Sequence, residues 1–152
     1  MFLIRRTSFV LAVVFALACA SDGISAPPGG FPHAFAQFAC GPADGPAVAI
    51  FLTQEAVEAP SPTTPYVRIY IAQAVDQLNG RAWSIAGSNS QGGAWFQLTA
   101  DSYEIASSGY IVATNVSADH TIDGSVDLTF PRAGRIRGGF HAPLFPNNAL
   151  CV

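Results

Sequence analysis

From residue 48 onward, hydrophobic and polar positions of this chain alternate with a period of two, and many of the apolar residues are β-branched or aromatic. A period of two places successive side chains on opposite faces of a strand, whereas an amphipathic helix has a period of 3.6. Turn dipeptides such as Asn79-Gly80 and Asp123-Gly124 separate the runs. The pattern predicts about eight strands. They are carried by residues 48–53, 67–71, 83–85, 94–98, 103–105, 110–117, 126–130 and 136–140.

The connections between these runs are mostly short, which favours antiparallel pairing of neighbours along the chain. Residues 72–78 are the one stretch that allows a helical turn. The sequence therefore predicts an all-β protein, an antiparallel meander of about eight strands that forms a small barrel or a sandwich. In a barrel, closure would place the first and last strands side by side.

The first 20 residues have the pattern of an export signal, because Arg5 and Arg6 precede an uncharged apolar run over residues 9–17. Two kinds of processing fit its end. A peptidase that cuts after Ala20 would release a secreted protein and discard Cys19. The five residues that end at Cys19 also resemble a bacterial lipobox, in which this cysteine is acylated and becomes the first residue of a lipid-anchored protein.

These signals divide the chain into a signal peptide (1–20), a Gly- and Pro-rich tether (21–38) and one all-β domain (39–152). The apolar run of the signal is shorter than the ~20 residues that cross a bilayer. Membrane contact is therefore expected only through a lipid on Cys19. The expected location is extracytoplasmic, either at the bacterial outer membrane or cell surface as a lipoprotein, or secreted.

Cysteine usage predicts one disulfide bond. Once Cys19 is removed or acylated, Cys40 and Cys151 are left as a pair in an oxidising compartment, where they would close nearly the whole domain. The alternative is a zinc site that combines both cysteines with His33 and His141. None of these residues has the short ligand spacing of a structural zinc site, so no metal is expected.

The charge of the chain excludes a nucleic-acid-binding surface. Its formal net charge is −3 and its basic residues are seven arginines, without lysine. Binding to phosphates needs clustered cations, and the one basic cluster comprises Arg132, Arg135 and Arg137. We interpret it as the solvated edge of a hairpin, with a site for an anionic ligand or a lipid headgroup as the alternative.

Catalytic chemistry has few candidates in this sequence. A hydrolase would draw on carboxylates and on His120, but most of the carboxylates lie beside predicted turns, where Asp is favoured for its local hydrogen bonds. Adjacent residues of a strand point to opposite faces, so Asp119 is poorly placed to orient His120. We expect no catalytic residues and no cofactor. The carboxylates considered are Asp101, Glu104, Asp119, Asp123 and Asp127.

A polar loop over residues 86–93 is the better candidate for recognition. Trp83 and Trp95 flank it, and Asn89 and Gln91 lie within it. Loops on a rigid scaffold often carry binding sites, and an exposed aromatic ring next to amides can stack on a sugar or contact a partner protein. Trp95 falls on the face opposite Ala94, which makes it the exposed ring. The alternative is a plain hairpin tip.

The C-terminal part of the chain resembles the end of small uncharacterised bacterial envelope lipoproteins. The resemblance rests on the signal, on residues 124–130 and 136–143, whose final segment reads G-x-F-x-A-P, and on the terminal Cys151. This chain differs by an insertion of residues 144–150 before the cysteine. The resemblance implies an all-β envelope protein and transfers no activity.

Together these observations predict a non-enzymatic envelope module, secreted or lipid-anchored, whose partner is a glycan, a small ligand or an envelope protein. One alternative is a small extracytoplasmic hydrolase that uses Asp or Glu with His120. Another is a barrel that holds a small apolar ligand in its interior.

Overall fold

The structure, a computed structural model, describes residues 30–57, 61–85, 91–119 and 121–146. These residues form strands and two short 3-10 turns, Pro42–Asp44 and Val75–Gln77, so the predicted all-β class is confirmed. The strands are β1 (His33–Cys40), β2 (Pro46–Thr53), β3 (Tyr66–Ile71), β4 (Arg81–Ser84), β5 (Gly92–Thr99), β6 (Ser102–Ile105), β7 (Ser108–Val116), β8 (Thr121–Phe130) and β9 (Gly134–Phe145).

The nine strands belong to one sheet in the order β4-β7-β8-β9-β1-β2-β3-β5-β6, curled into a half-barrel. The first and last strands, β1 and β9, are neighbours in the middle of this order, whereas β4 and β6 form the edges of the sheet. The topology differs from a plain antiparallel meander in two respects. β1 and β9 run parallel, and β3 pairs with β5 while β4 pairs with β7 at the far edge.

Strand β1 covers residues that the sequence analysis assigned to the tether. Phe35 is 2% exposed and Ala36 is fully buried, and β1 lies between β2 and β9 near the middle of the sheet. The folded domain therefore begins before residue 39, since Phe31 is already buried. Alanine-rich alternation obscured this strand, because alanine is depleted in strands. Cys19 and the rest of the signal lie outside the described residues.

The inner face of the sheet forms the main hydrophobic core. Alternate residues of each strand point inward and lose contact with water, which stabilises the fold by roughly 1.5–3 kcal/mol for each large aliphatic side chain. Fully buried members of this face include Val48, Ile50, Leu52, Val67, Ile69, Ile111, Ile122, Val126 and Leu128.

Glu104 connects strand β6 to the turn between β8 and β9. Its side chain is buried, and Oε2 accepts hydrogen bonds from the backbone N–H groups of Arg132 (2.8 Å) and Ala133 (3.3 Å). The Arg132 Nε lies 3.3 Å from Oε1. The backbone N–H of Ser107 donates to the Thr129 carbonyl at 2.8 Å nearby. These bonds join parts of the sheet that are far apart in strand order.

Two residues of the alternative zinc site lie at opposite ends of β1. His33 and Cys40 are the first and last residues of this strand, about 23 Å apart at ~3.3 Å per residue, so they cannot share a metal ion. Across the described ranges, no group of three or more His, Cys, Asp or Glu side chains is arranged to hold a metal. Cys151 lies outside those ranges, and its disulfide bond with Cys40 stays a prediction.

None of the helical segments in the described residues is long and apolar enough to cross a membrane.

Candidate ligand-binding surface

The outer faces of β3, β5 and β6 together present an aromatic surface, here called the outer platform. Residues directly opposite each other on one face of paired strands have Cβ atoms about 4.5–5.5 Å apart, so each row is continuous. The platform consists of two such rows, Tyr66–Gln97–Tyr103 and Arg68–Trp95–Ile105.

The Trp95 indole lies against the backbone of its own strand, over Gly93. A Cβ atom at Gly93 would lie 2.8 Å from Cη2 of Trp95 and 3.2–3.3 Å from Cζ2 and Cζ3. Three ring atoms at similar distances mean that the ring sits above this glycine. The missing side chain at Gly93 is therefore what lets the half-buried ring lie along the sheet.

Arg68 is held between two aromatic rings. Its Cζ is 6.0 Å from the centroid of Phe51 on β2 and 5.9 Å from that of Trp95 on β5. Cation–π contacts at such exposed sites contribute roughly 0.5–1 kcal/mol each. Within the described part of the chain, no carboxylate lies within ion-pair distance of Arg68. The two rings therefore position the guanidinium, and none of the described carboxylates neutralises it.

The row Tyr66–Gln97–Tyr103 ends in an exposed aromatic ring. Tyr103 is 55% exposed and Ile105 is 37% exposed, both on the edge strand β6. The amide Nε2 of Gln97 donates to the carbonyls of Thr99 (2.7 Å) and Ala100 (3.2 Å) in the adjoining turn. This fixes the amide in the middle of the row. Exposed large apolar groups beside ordered polar ones are typical of interaction sites.

Over β1 and β2, the aromatic side chains of the outer face cover one another. Phe35 and Phe51 stack with their ring centroids 4.7 Å apart, and Phe145 meets Phe35 edge-on at 5.6 Å. Val57 packs against the same cluster. The aromatic rings on β9, β1 and β2 therefore shield one another from solvent, whereas those on the platform are accessible.

The residues predicted to form the binding site do not lie on one surface. Trp83 is opposite Ile111 and packs against the inner core, whereas Trp95 is on the outer face, as predicted. The Gln91 carbonyl accepts a hydrogen bond from the backbone of Ala72 at 2.9 Å. Asn89 lies outside the described residues. Of the three that the structure describes, Trp95 alone belongs to the outer platform, and a binding role for the other predicted residues stays a prediction.

Five platform residues were missed by sequence reasoning: Tyr66, Arg68, Gln97, Tyr103 and Ile105. The alternation of Tyr66 and Arg68 with buried residues of β3 did identify outward-facing positions on that strand. Alternation along single strands does not show that β3 pairs with β5. This pairing brings Tyr66 and Arg68 next to the row of residues on β5 and β6.

The arginines of the basic cluster pair with two buried carboxylates, Asp127 of the same hairpin and Glu104 of β6. Arg135 binds Asp127 through two hydrogen bonds of 2.7 and 2.5 Å, and Arg137 approaches the same carboxylate at 3.8 Å. The hydrogen bond from Arg135 lowers the pKa of Asp127 below its ordinary value and raises that of Arg135 itself. Arg132 pairs with Glu104. These contacts support the hairpin interpretation over an anion site.

The carboxylates considered for catalysis are dispersed. The Ser117 hydroxyl donates to Asp119 within one turn, which lowers the pKa of Asp119. Its neighbour His120 lies outside the described residues. Asp123 contacts His141 instead, with Oδ1 2.6 Å from Nδ1. Asp119 is therefore occupied by turn contacts, as the sequence analysis expected for these positions.

Comparison of the chain with protein-family models, with characterised proteins and with solved structures finds no match. The resemblance of residues 124–130 and 136–143 to envelope lipoproteins therefore stays an expectation.

Proposed function

We propose that this protein is an exported, non-enzymatic module of the bacterial cell envelope, secreted or anchored through Cys19, that binds a glycan on the outer platform. The observation that carries the proposal is the Trp95 indole, which lies over Gly93 and next to Arg68. A ring that is already oriented loses little conformational freedom when a ligand binds, which favours affinity.

A glycan fits the chemistry of this surface. Sugars combine apolar C–H faces, which pack on aromatic rings, with hydroxyls that need hydrogen-bonding partners. The platform supplies rings at Trp95 and Tyr103 and a fixed amide at Gln97. Its one formal charge is that of Arg68, so it suits neutral or acidic sugars. Trp, Tyr and Arg are also frequent at protein interfaces, which makes a protein partner the competing outcome of the test.

Export is supported by the signal pattern and by the reach of the predicted disulfide. β9 ends at Phe145, opposite Gln37 of β1, and the two strands run in the same direction. Cys40 follows Gln37 by three residues, about 10 Å, and Cys151 follows Phe145 by six, which can span about 20 Å. A bond between these cysteines would fix the parallel pairing of β1 and β9.

The two alternative functions receive less support. The inner face of the sheet is the hydrophobic core, so we do not propose an apolar ligand in the interior. The hydrolase hypothesis relied on Asp119 and His120, and Asp119 is engaged by Ser117.

Affinity electrophoresis of the purified protein through gels that contain bacterial envelope polysaccharides or peptidoglycan fragments tests the proposal. We expect retardation of the native protein and an affinity about tenfold lower for Trp95→Ala, because an aromatic contact contributes about 0.5–1.5 kcal/mol beyond its buried area. Tyr103→Ala should also bind more weakly. Tyr110→Ala is its matched control, an exposed outer-face tyrosine on β7 that should bind as the native protein does.

Native-like retardation of Trp95→Ala would contradict the platform as the site. No retardation by any glycan, with capture of an envelope protein that depends on Trp95, would replace the glycan with a protein partner.

A further inference from the structure

A separate cleft of about 570 Å³ lies where β1 begins, beside β8 and β9. It shares no residue with the outer platform. The ladder between β1 and β9 consists of two pairs, Ala36 with Leu144 and Gln37 with Phe145. The cleft borders the part of these two strands that precedes the ladder. Its volume is within the ~300–1,000 Å³ range of small-molecule sites.

The polar groups of the cleft converge on one carboxylate. Oδ1 of Asp123 lies 2.6 Å from Nδ1 of His141, and Oδ2 accepts a hydrogen bond from Nδ2 of Asn115 at 3.3 Å. With neutral His141, this contact places the ring proton on Nδ1 and leaves the lone pair of Nε2 as an acceptor. The side chain of Asp123 is 38% exposed, so its remaining lone pairs are accessible.

The formal charge of the cleft is negative. Among the described residues that line it, and with the histidines neutral, Asp123 is the one charged side chain; this part of the lining also includes His33 and Thr114 and contains no arginine. Both oxygens of Asp123 and Nε2 of His141 are acceptors. A cleft that offers acceptors and a negative charge favours a ligand with a protonated donor and disfavours an anion.

Part of the lining is apolar. Phe31, Ala34, Val57 and Phe140 contribute to it, and Phe31 and Phe140 are buried in the core cluster. The Phe140 ring lies against Gly124, where a Cβ atom would be 2.6 Å from Cζ. An apolar group of the ligand would therefore meet a rigid wall rather than a mobile side chain.

We propose that this cleft binds a small primary amine that carries an aromatic or short alkyl group. The ammonium donates hydrogen bonds to Asp123 and to Nε2 of His141. The apolar group packs on the side of Phe31 and Phe140. This site is independent of the glycan platform and of its ligand.

The test is a titration of the ¹⁵N-labelled purified protein followed by amide NMR, with three probes of similar size: 2-phenylethylamine, 2-phenylethanol and phenylacetate. We expect the amine to shift the signals of Thr114, Gly124, Gly139 and His141, the alcohol to bind at least tenfold more weakly and phenylacetate to cause no shift. Asp123→Asn should weaken the amine at least tenfold. The control Asp76→Asn, in the 3-10 turn at Val75–Gln77, should leave its affinity unchanged.

His141→Phe provides a second variant, because it keeps the carboxylate and removes Nε2; it should weaken the amine severalfold. Equal binding of amine and phenylacetate, native affinity in a folded Asp123→Asn, or amine shifts confined to the outer platform would each overturn the proposal. Failure of this site would leave the glycan proposal untouched.

Discussion

The two halves of the outer face differ in whether their polar side chains pair with one another. Over β8 and β9, polar groups satisfy one another: Asp127 is bound by Arg135 and approached by Arg137. Over β3, β5 and β6, Arg68 lies between aromatic rings without a carboxylate partner in the described residues, and Tyr103 extends into solvent. The cluster of Asp127 with Arg135 and Arg137, whose charges pair with one another, therefore gains little from a partner. The half with oriented but uncovered groups is the one for which we propose glycan recognition.

Two glycines that each lie beneath an aromatic ring can be compared in the same way. Gly124 in β8 lies beneath Phe140, and Gly93 in β5 lies beneath Trp95. At Gly124 an added Cβ would also meet the backbone carbonyl of Val112, which cannot move without breaking the sheet, whereas at Gly93 it would meet only the far end of the indole. One glycine is therefore required by the fold, and the other by the orientation of a surface ring.

Gly124→Ala should have the largest effect on stability. We expect the free energy of unfolding to fall by about 3 kcal/mol, because the methyl group overpacks a contact between two strands. Urea denaturation measures the change. Gly45→Ala is the matched control: its φ is −69°, and its added Cβ has only an ordinary contact, 3.5 Å from the Pro42 carbonyl. A Gly124→Ala protein as stable as this control would refute the close approach of β7 and β8.

Glu104→Ala should be the next most damaging change. It leaves the backbone N–H groups of Arg132 and Ala133 without their acceptor, at an expected cost of about 2–3 kcal/mol. Glu104→Gln keeps one acceptor oxygen and should lose less. Thermal or urea unfolding compares both with Asp101→Asn, a substitution at an exposed acid. Equal stability of all three variants would mean that β6 is not tied to the β8–β9 turn.

Asp127→Asn should reduce stability in a pH-dependent way, by about 1.5 kcal/mol at pH 7, since it replaces a carboxylate bound by Arg135. The pKa of Asp127 in the folded protein is below its ordinary value of 3.8. Its contribution is therefore complete above about pH 5 and is lost as the pH falls through the folded pKa. The difference between native and variant proteins, measured by urea unfolding from pH 7 to pH 3, should shrink below about pH 4. A constant difference would contradict this.

Gly93→Ala should have the smallest effect on stability, within about 1 kcal/mol, because the displaced indole can reorient at the surface. Glycan retardation should nevertheless decrease about as much as in Trp95→Ala. Gly45→Ala again serves as the control, with native binding. Native-like glycan binding by Gly93→Ala would mean that binding does not need this orientation of the Trp95 ring. The two glycines would then differ only in their effect on the stability of the fold.

The sequence could predict local features better than long-range ones. The pattern of apolar residues identified the strands that carry Ile50, Ile69 and Val126, and alternation placed Trp95 on the outer face. It missed β1, whose alanines weaken the pattern. It also could not show that β4 pairs with β7 rather than with β3 or β5, because pairing between strands distant in the sequence depends on tertiary packing. That is why Trp83 was grouped with Trp95, although the two lie on opposite faces.

The most direct test of the account is to map glycan binding on the ¹⁵N-labelled protein by NMR, with the envelope fraction that retards it most. The account predicts shifts of the Trp95 indole N–H and of the amides of Tyr66, Gln97 and Tyr103, while those of Arg135 and Arg137 stay unchanged. Shifts concentrated on β8 and β9, with the Trp95 indole unaffected, would contradict the assignment of recognition to the outer platform.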